Sequence, residues 1–272
     1  MTLPNMIVLD SETLTGTAET ADQPQLSPWS DETSSIDGLN PSRSVVTDVQ
    51  LATSDALYHL RLAAACPDLV ENARGQLVQS LMSSPRERCY QLDSTPVYEL
   101  TFLHESTLLR ETGMLIDDLR FDDNGRTPAD LLVTWNGSVF DLPFLADRAE
   151  INGTTLGDLQ LAPDPARQPK YQALPGHDRN GASGAYKASW HGLPHLDVAY
   201  VYQQYARAND VDWSLKPVAA SRGIDMITVD RARMHQLDEA ARSSYALSDV
   251  VGLQQLVQSD FQAMNMSAHI DR

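Results

Sequence analysis

Three places in the chain carry acids at spacings that can hold a divalent cation. Near the N-terminus the apolar run Ile7-Val8-Leu9 leads straight into Asp10-Ser11-Glu12. Side chains two apart on a strand point to the same face, so Asp10 and Glu12 can share one ion. In the middle, Val133-Thr134-Trp135-Asn136-Gly137-Ser138-Val139-Phe140-Asp141 sets an acid just past a buried strand, where open α/β sheets bind ligands. Towards the C-terminus, Tyr245 and Asp249 lie four apart and project from one face of a helix. Hard cations such as Mg2+ accept carboxylate oxygens and retain water. Four carboxylates and a tyrosine at these places suit two-metal hydrolysis of a phosphodiester.

Each feature also has a plain structural explanation. Asp-x-Glu pairs are common on solvated strand ends, Asp141 can serve as a helix N-cap, and Tyr245 with Asp249 can be a surface pair. Phe144 reads as core, and Trp135 reads as core ahead of base stacking. His191-x-x-x-His195 has zinc-like spacing, but Pro194 disfavours a helix there and no third ligand is in view. Gly181-Ala-Ser-Gly184 is too irregular for a phosphate loop and reads as a flexible loop.

The elements that must position these residues alternate between strands and helices. Residues 3 to 9 read as a buried strand, and Thr13 to about Arg43 as a long loop or partly disordered insertion. Leu57, Leu60, Ala64, Leu69, Leu77 and Leu81 predict one or two amphipathic helices over 54 to 82, broken at Pro67. Strands are expected between Tyr90 and Leu103, a helix from Glu105 to Leu119, a turn at Asn124-Gly125 and a core strand from Asp130 to Thr134. Asp141 begins a helix that stops near Asn152-Gly153, and residues 154 to 192 read as a long surface loop near the site. Leu193 to Tyr200 is a short strand or turn entering a helix. Further helices are expected over Ser214 to Ser221 and from about Asp238 to Met264. The expected fold class is α/β, a mixed sheet flanked by helices, with an N-terminal loop and helical elaboration over 14–90.

A chain of 272 residues and 30.0 kDa can bury a full core, and the expectation is one domain over 1–272. With no basic residue ahead of the first apolar run and no apolar stretch of about 18 residues, a soluble, cytoplasmic protein without membrane contact is expected. Cys66 and Cys89 form no C-x-x-C pair and are expected to be reduced and buried. The net charge of -17 argues against extended phosphate-backbone binding, yet the excess lies mainly in the first half. Arg167, Lys170, Arg179 and Lys187 make one stretch locally positive, a candidate phosphate track or an ordinary solvated loop. Three Lys in all, with far more Asp than Glu, resemble the bias of salt-adapted proteins.

Taken together, Leu9-Asp10-Ser11-Glu12-Thr13, Asn136-Gly137-Ser138-Val139-Phe140-Asp141 and Tyr245-Ala246-Leu247-Ser248-Asp249-Val250 resemble the motifs of the DEDD superfamily of 3′-5′ exonucleases. That superfamily has a ribonuclease H-like fold. Trp135-Asn136-Gly137 with Phe140-Asp141-Leu142-Pro143, His195-Leu196-Asp197, Ser214-Leu215-Lys216 and the terminal Tyr-x-x-x-Asp-Val are similar, in order, to the predicted exonuclease family related to the family B DNA polymerase proofreading domain. The similarity spans residues 5 to 13 and 97 to 260 and leaves out 14 to 90.

The resemblance implies that Asp10, Glu12, Asp141 and Asp249 bind two ions, Mg2+ or Mn2+, about 3.5 to 4 Å apart. It also implies that Tyr245 orients the attacking water. Superfamily members use either a tyrosine four residues before the last aspartate or a histidine five before it; Tyr245 and Ser244 place this chain in the tyrosine subclass. A tyrosine of ordinary pKa, about 10, positions water rather than abstracting a proton. Thr13, Asn136, Phe140, His195 and Asp197 would bind or border the substrate, with a structural role as the alternative for His195 and Asp197. The implied substrate is a 3′ end of single-stranded DNA. An RNA exonuclease and a non-catalytic nucleic-acid or partner-binding module are the alternatives. No polymerase fits in the remaining residues, so any replication or repair partner would be a separate chain.

Overall fold

The computed structural model describes residues 3–15, 41, 44–63, 86–121, 128–167, 185–229 and 238–271. The strands are β1 (Met6–Thr15), β2 (Ser44–Ala52), β3 (Leu57–Leu62), β4 (Arg86–Leu92), β5 (Thr95–Phe102), β6 (Leu131–Thr134), β7 (Leu159–Asp164), β8 (Ala185–Trp190) and β9 (Leu193–Asp197). The α-helices are α1 (Glu105–Arg120), α2 (Asp141–Ile151), α3 (Val198–Asn209), α4 (Leu215–Ser221) and α5 (Glu239–Asp260). The strands form one mixed sheet in the order β4-β5-β3-β2-β1-β6-β9-β8-β7. β1 pairs antiparallel with β2 and parallel with β6, and β6 pairs parallel with β9.

Period-2 alternation divides the strand residues between two apolar layers. Ile7, Leu9, Val49, Leu51, Leu60 and Leu132 pack with Leu108, Leu109 and Ile116 of α1 and Leu142 and Leu145 of α2. On the other face Met6, Val8, Ala52, Leu57, Leu131 and Val133 pack with Val201 and Tyr202 of α3, Val218 of α4 and Leu247, Val250 and Leu253 of α5. Asp10 and Glu12 continue the Met6 and Val8 parity, so they lie on the α5 side. The β4–β5 connection is a two-residue hairpin in which Asp93 and Ser94 both have positive φ (46° and 74°), the conformation that matches strand twist.

The helical reading of 54–82 is corrected where the chain is described. Leu57–Leu62 is a strand with all six residues buried, and β2 and β3 are core strands rather than an insertion. The 57, 60 spacing is shared by a helix and by a strand covered on both faces, and length alone does not separate them. Residues 64–82, the proposed Asn124-Gly125 turn and the Gly181–Gly184 loop lie outside the described residues. The 154–192 loop is likewise corrected: β7 and β8 form an antiparallel pair, Leu159 opposite Trp190 through Asp164 opposite Ala185. Cys89, expected to be buried, is exposed on β4.

A buried ion pair ties α1 to α2. Arg148 donates to both oxygens of Glu105 and, through Nη1, to the Pro41 carbonyl at 2.6 Å. Glu105 Oε1 also accepts from Val46 N at 2.7 Å, and its Oε2 accepts from Asn152 Nδ2 at 2.9 Å. Removing one partner leaves the other charge buried and uncompensated, so Glu105→Ala is expected to cost about 3–5 kcal/mol in equilibrium urea unfolding. A loss under about 1 kcal/mol would show the pair to be well solvated.

Candidate active site

β1 runs on through the acidic motif, so Asp10, Ser11 and Glu12 are all strand residues. Alternation sends Asp10 and Glu12 towards α5 and Ser11 to the opposite face, where its hydroxyl donates to Asp141 Oδ1 at 2.6 Å. α5 is capped by Asp238, whose side chain accepts from Ala241 N at 2.7 Å. Its first turns bring Tyr245 and Asp249 over β1. Carboxylate oxygens of Asp10, Glu12 and Asp249 lie within 4.8 Å of one another.

Asp141, held by Ser11, is near enough to Asp10 for its charge to act on it. It is not the N-cap: Phe140 holds that position, and Asp141 is the first helical residue of α2. The loop that delivers it is braced at several points. Asn136 has φ 64°, a left-handed conformation that asparagine tolerates better than most residues, and its N–H donates to Asp197 Oδ1 at 2.8 Å. Ser138 donates to Asp197 Oδ2 through both its N–H, at 3.0 Å, and its hydroxyl. Gly137 N–H reaches Thr134 Oγ1 at 3.1 Å, and a Cβ at Gly137 would lie 2.3 Å from that same oxygen. Only glycine fits between the loop and Thr134.

His195 and Asp197 therefore belong to the scaffold rather than to a substrate surface. His195 is fully buried, with Nε2 2.8 Å from Thr134 Oγ1 and Nδ1 3.3 Å from Asp271 Oδ2. Asp197 is 1% exposed and, besides bracing Asn136 and Ser138, caps α3 through Ala199 N at 3.2 Å. Their burial accords with the structural alternative for both. Asn136 is also buried, whereas Thr13 and Phe140 are half-buried. One side of Phe140 packs on the core against Phe144, with ring centroids 5.2 Å apart. Trp135 packs against Tyr202, as expected of a core residue. Arg167 is turned inward to Asp271 and to Asp164, 3.4 Å away, which removes it from the candidate phosphate track. Lys170 and Arg179 lie outside the described residues.

The electrostatics are those of crowded anions. Burial raises the Asp10 carboxyl well above its ordinary value, and the charges of Asp141, Glu12 and Asp249 raise it further. Burial pushes Asp141 up to about 7 even though Ser11 donates to it. Burial, then Glu12 and Asp249, also raise the Tyr245 phenol, which keeps it neutral at physiological pH. A cation faces this group. Lys216 Nζ lies 3.0 Å from Asp249 Oδ1 and 3.7 Å from the centroid of the Tyr245 ring. Its motif is visible in the sequence, but only the fold shows α4 handing its lysine to α5. In a chain with three lysines, this placement is a signal in itself.

These acids, an α/β sheet with β1 at its centre, and Asp141 at the start of the helix after β6 now stand together. Residues 93–218 match the family DNA polymerase family B, exonuclease domain. The match supports a family B polymerase-like exonuclease domain of the ribonuclease H-like superfamily. No curated protein matches the chain. The matched stretch of this exonuclease domain runs from the β4–β5 turn to α4 and contains Asp141 and Lys216. Asp10, Glu12, Tyr245 and Asp249 lie outside it, on β1 and α5, and reach the site through the fold. Among the described residues no helix is long and apolar enough to cross a membrane.

Crowded hard carboxylate oxygens that repel one another fit a divalent cation, and no sulfur or imidazole ligand accompanies them among the described residues.

Proposed function

We propose that the protein is a metal-dependent 3′-5′ exonuclease that removes nucleotides from single-stranded DNA, with its site formed by one domain spanning the whole chain. The observation that carries this reading is the convergence of Asp10, Glu12 and Asp249 within 4.8 Å, although they come from opposite ends of the sequence. Asp10, Glu12, Asp141 and Asp249 would hold two Mg2+ or Mn2+ ions. Divalent ions at such a site supply an activated water and neutralise charge developing on the phosphoryl oxygens.

The chain's own groups supply the remainder. Tyr245, neutral and held under Lys216, orients the attacking water through its hydroxyl. Lys216 adds a fixed positive charge beside Asp249 that can meet a phosphate oxygen, which helps an acidic protein accept an anionic substrate. Ser11 holds Asp141 in place by its hydrogen bond. Phe140 offers the exposed part of its ring to the terminal base, and Thr13 and Asn136 border the same end of β1 and β6.

The test is release of nucleotides from oligonucleotides labelled at the 3′ or the 5′ end, with Mg2+ or Mn2+. Mononucleotides should leave the 3′ end first from the intact chain, and Asp249→Ala should not release them. An intact chain with no turnover, or an Asp249→Ala variant that keeps it, sinks the proposal. A matched RNA oligonucleotide, degraded as fast as DNA, would move the substrate assignment to RNA.

A further inference from the structure

Beyond the carboxylates, the same face of the sheet carries a continuous polar row that the nuclease reading does not use. Residues directly opposite one another in a sheet share a face. Asp10 lies opposite Gln50, Gln50 opposite His59, His59 opposite Glu99, and Glu99 opposite Arg88. The neighbouring row continues from Glu12 through Asp48 to Arg61. Most of this buried row is paired internally. Asp48 Oδ1 lies 2.9 Å from His59 Nε2 and accepts from Arg61 Nε at 3.1 Å, while Glu99 Oε1 accepts from Arg88 at 3.3 Å.

Gln50 is the exception. It is fully buried, it sits between Asp10 and His59, and neither Oε1 nor Nε2 has a hydrogen-bond partner among the described residues. His59 Nδ1, on its other side, also lacks one. Leaving a buried amide unpaired costs the full desolvation of each unmet group, so such residues call for a partner acquired in another state. Carboxylates that ligate metals are themselves held by hydrogen-bond donors behind them. Apart from the backbone N–H of Ser11, the interactions that shape Asp10 are burial and negative charge.

We propose that Gln50 is a positioning residue of the cation site: when a divalent cation is bound, its Nε2 donates to the Asp10 carboxylate and fixes that ligand, with His59 behind it. This rests on the cation-site reading above and adds to it a residue of β2, a strand outside the matched domain. The amide carries no charge, so it orients Asp10 without competing with the ion.

Calorimetric titration of Mn2+ into the metal-free full chain tests it, alongside thermal denaturation in EDTA. Gln50→Met is expected to bind Mn2+ about 10- to 100-fold more weakly than the intact protein. Its metal-free midpoint should be unchanged or higher, because an unpaired buried amide has been removed. Gln50→Leu gives the same comparison should Gln50→Met not fold. Mn2+ affinity within about twofold of the intact chain overturns the proposal, and so does a lowered metal-free midpoint with unaltered affinity, which is the mark of a packing residue. If the intact chain takes up no Mn2+, the cation site itself fails, and the Gln50 assignment with it.

Discussion

Asp10→Asn should cut nucleotide release by roughly 10³-fold or more while raising the thermal midpoint of the metal-free protein. The first effect follows from losing a ligand at the centre of the site, where cation charge stabilisation contributes several kcal/mol at about 1.36 kcal/mol per tenfold in rate. The second follows from repulsion. Asp10 is pushed up by burial and by Asp141, Glu12 and Asp249, so an uncharged isostere removes a group whose ionisation the folded state opposes. Each kcal/mol relieved should raise the midpoint by about 2–4 °C for a protein of this size. Stability bought at the expense of activity is the expected trade for an assembled charge cluster. Scanning both proteins in EDTA decides the point, and a lower midpoint for the variant would mean that the acids do not oppose one another.

Cation binding should release protons, more of them at pH 6 than at pH 8. Burial holds the Asp141 carboxyl up to about 7 against an ordinary 3.8, and Asp10 is raised by the same cause together with its charged neighbours. In the metal-free folded protein these groups keep protons that the unfolded chain gives up. The contribution of Asp141 to stability is complete below about pH 3.8 and is lost as pH rises through about 7, and Asp10 acts in the same direction. A bound cation displaces the same protons, so its stabilising effect should grow across that window. Calorimetry with Mg2+ at pH 6 in two buffers of different ionisation enthalpy measures the release, and heats independent of buffer would contradict it. Asp48 behaves oppositely. Burial works against its ionisation, but His59 and Arg61 hold it down to about 2, so its contribution is lost only as acidification passes from about 4 to about 2.

The parts of the site written in local spacing were legible in the sequence. Asp10 and Glu12 share a face because a strand repeats every two residues, and Tyr245 and Asp249 because a helix nearly repeats every four. The helices Glu105–Arg120 and Glu239–Asp260 also lie close to where their apolar periodicity put them, and Asp141–Ile151 to where its start at Asp141 and the Asn152-Gly153 stop put it. What was hidden depends on partners far away in the chain. β3 carries His59 and Arg61 in a fully buried strand, and charges at core positions break the alternation by which a strand is recognised. They are tolerated because Asp48 and Glu99 arrive from β2 and β5 to meet them. His195 and Asp197 resembled groove residues because they follow a motif. Asp271, close to the C-terminus, and the 136–138 backbone make them internal instead. Lys216 was part of a recognised motif, yet nothing in its local sequence reveals that it rests on Tyr245.

The carboxylates that converge within 4.8 Å come from β1, the first strand, and α5, the last long helix, with the whole sheet built in between. A cation shared between them acts as a clasp on that helix. Amide hydrogens in the Tyr245–Asp249 turns should therefore exchange more slowly when Mn2+ is present, since opening α5 then requires the ion to leave. The same geometry makes competence a late event in folding: the ligand set is finished only after the chain has closed a loop nearly as long as itself.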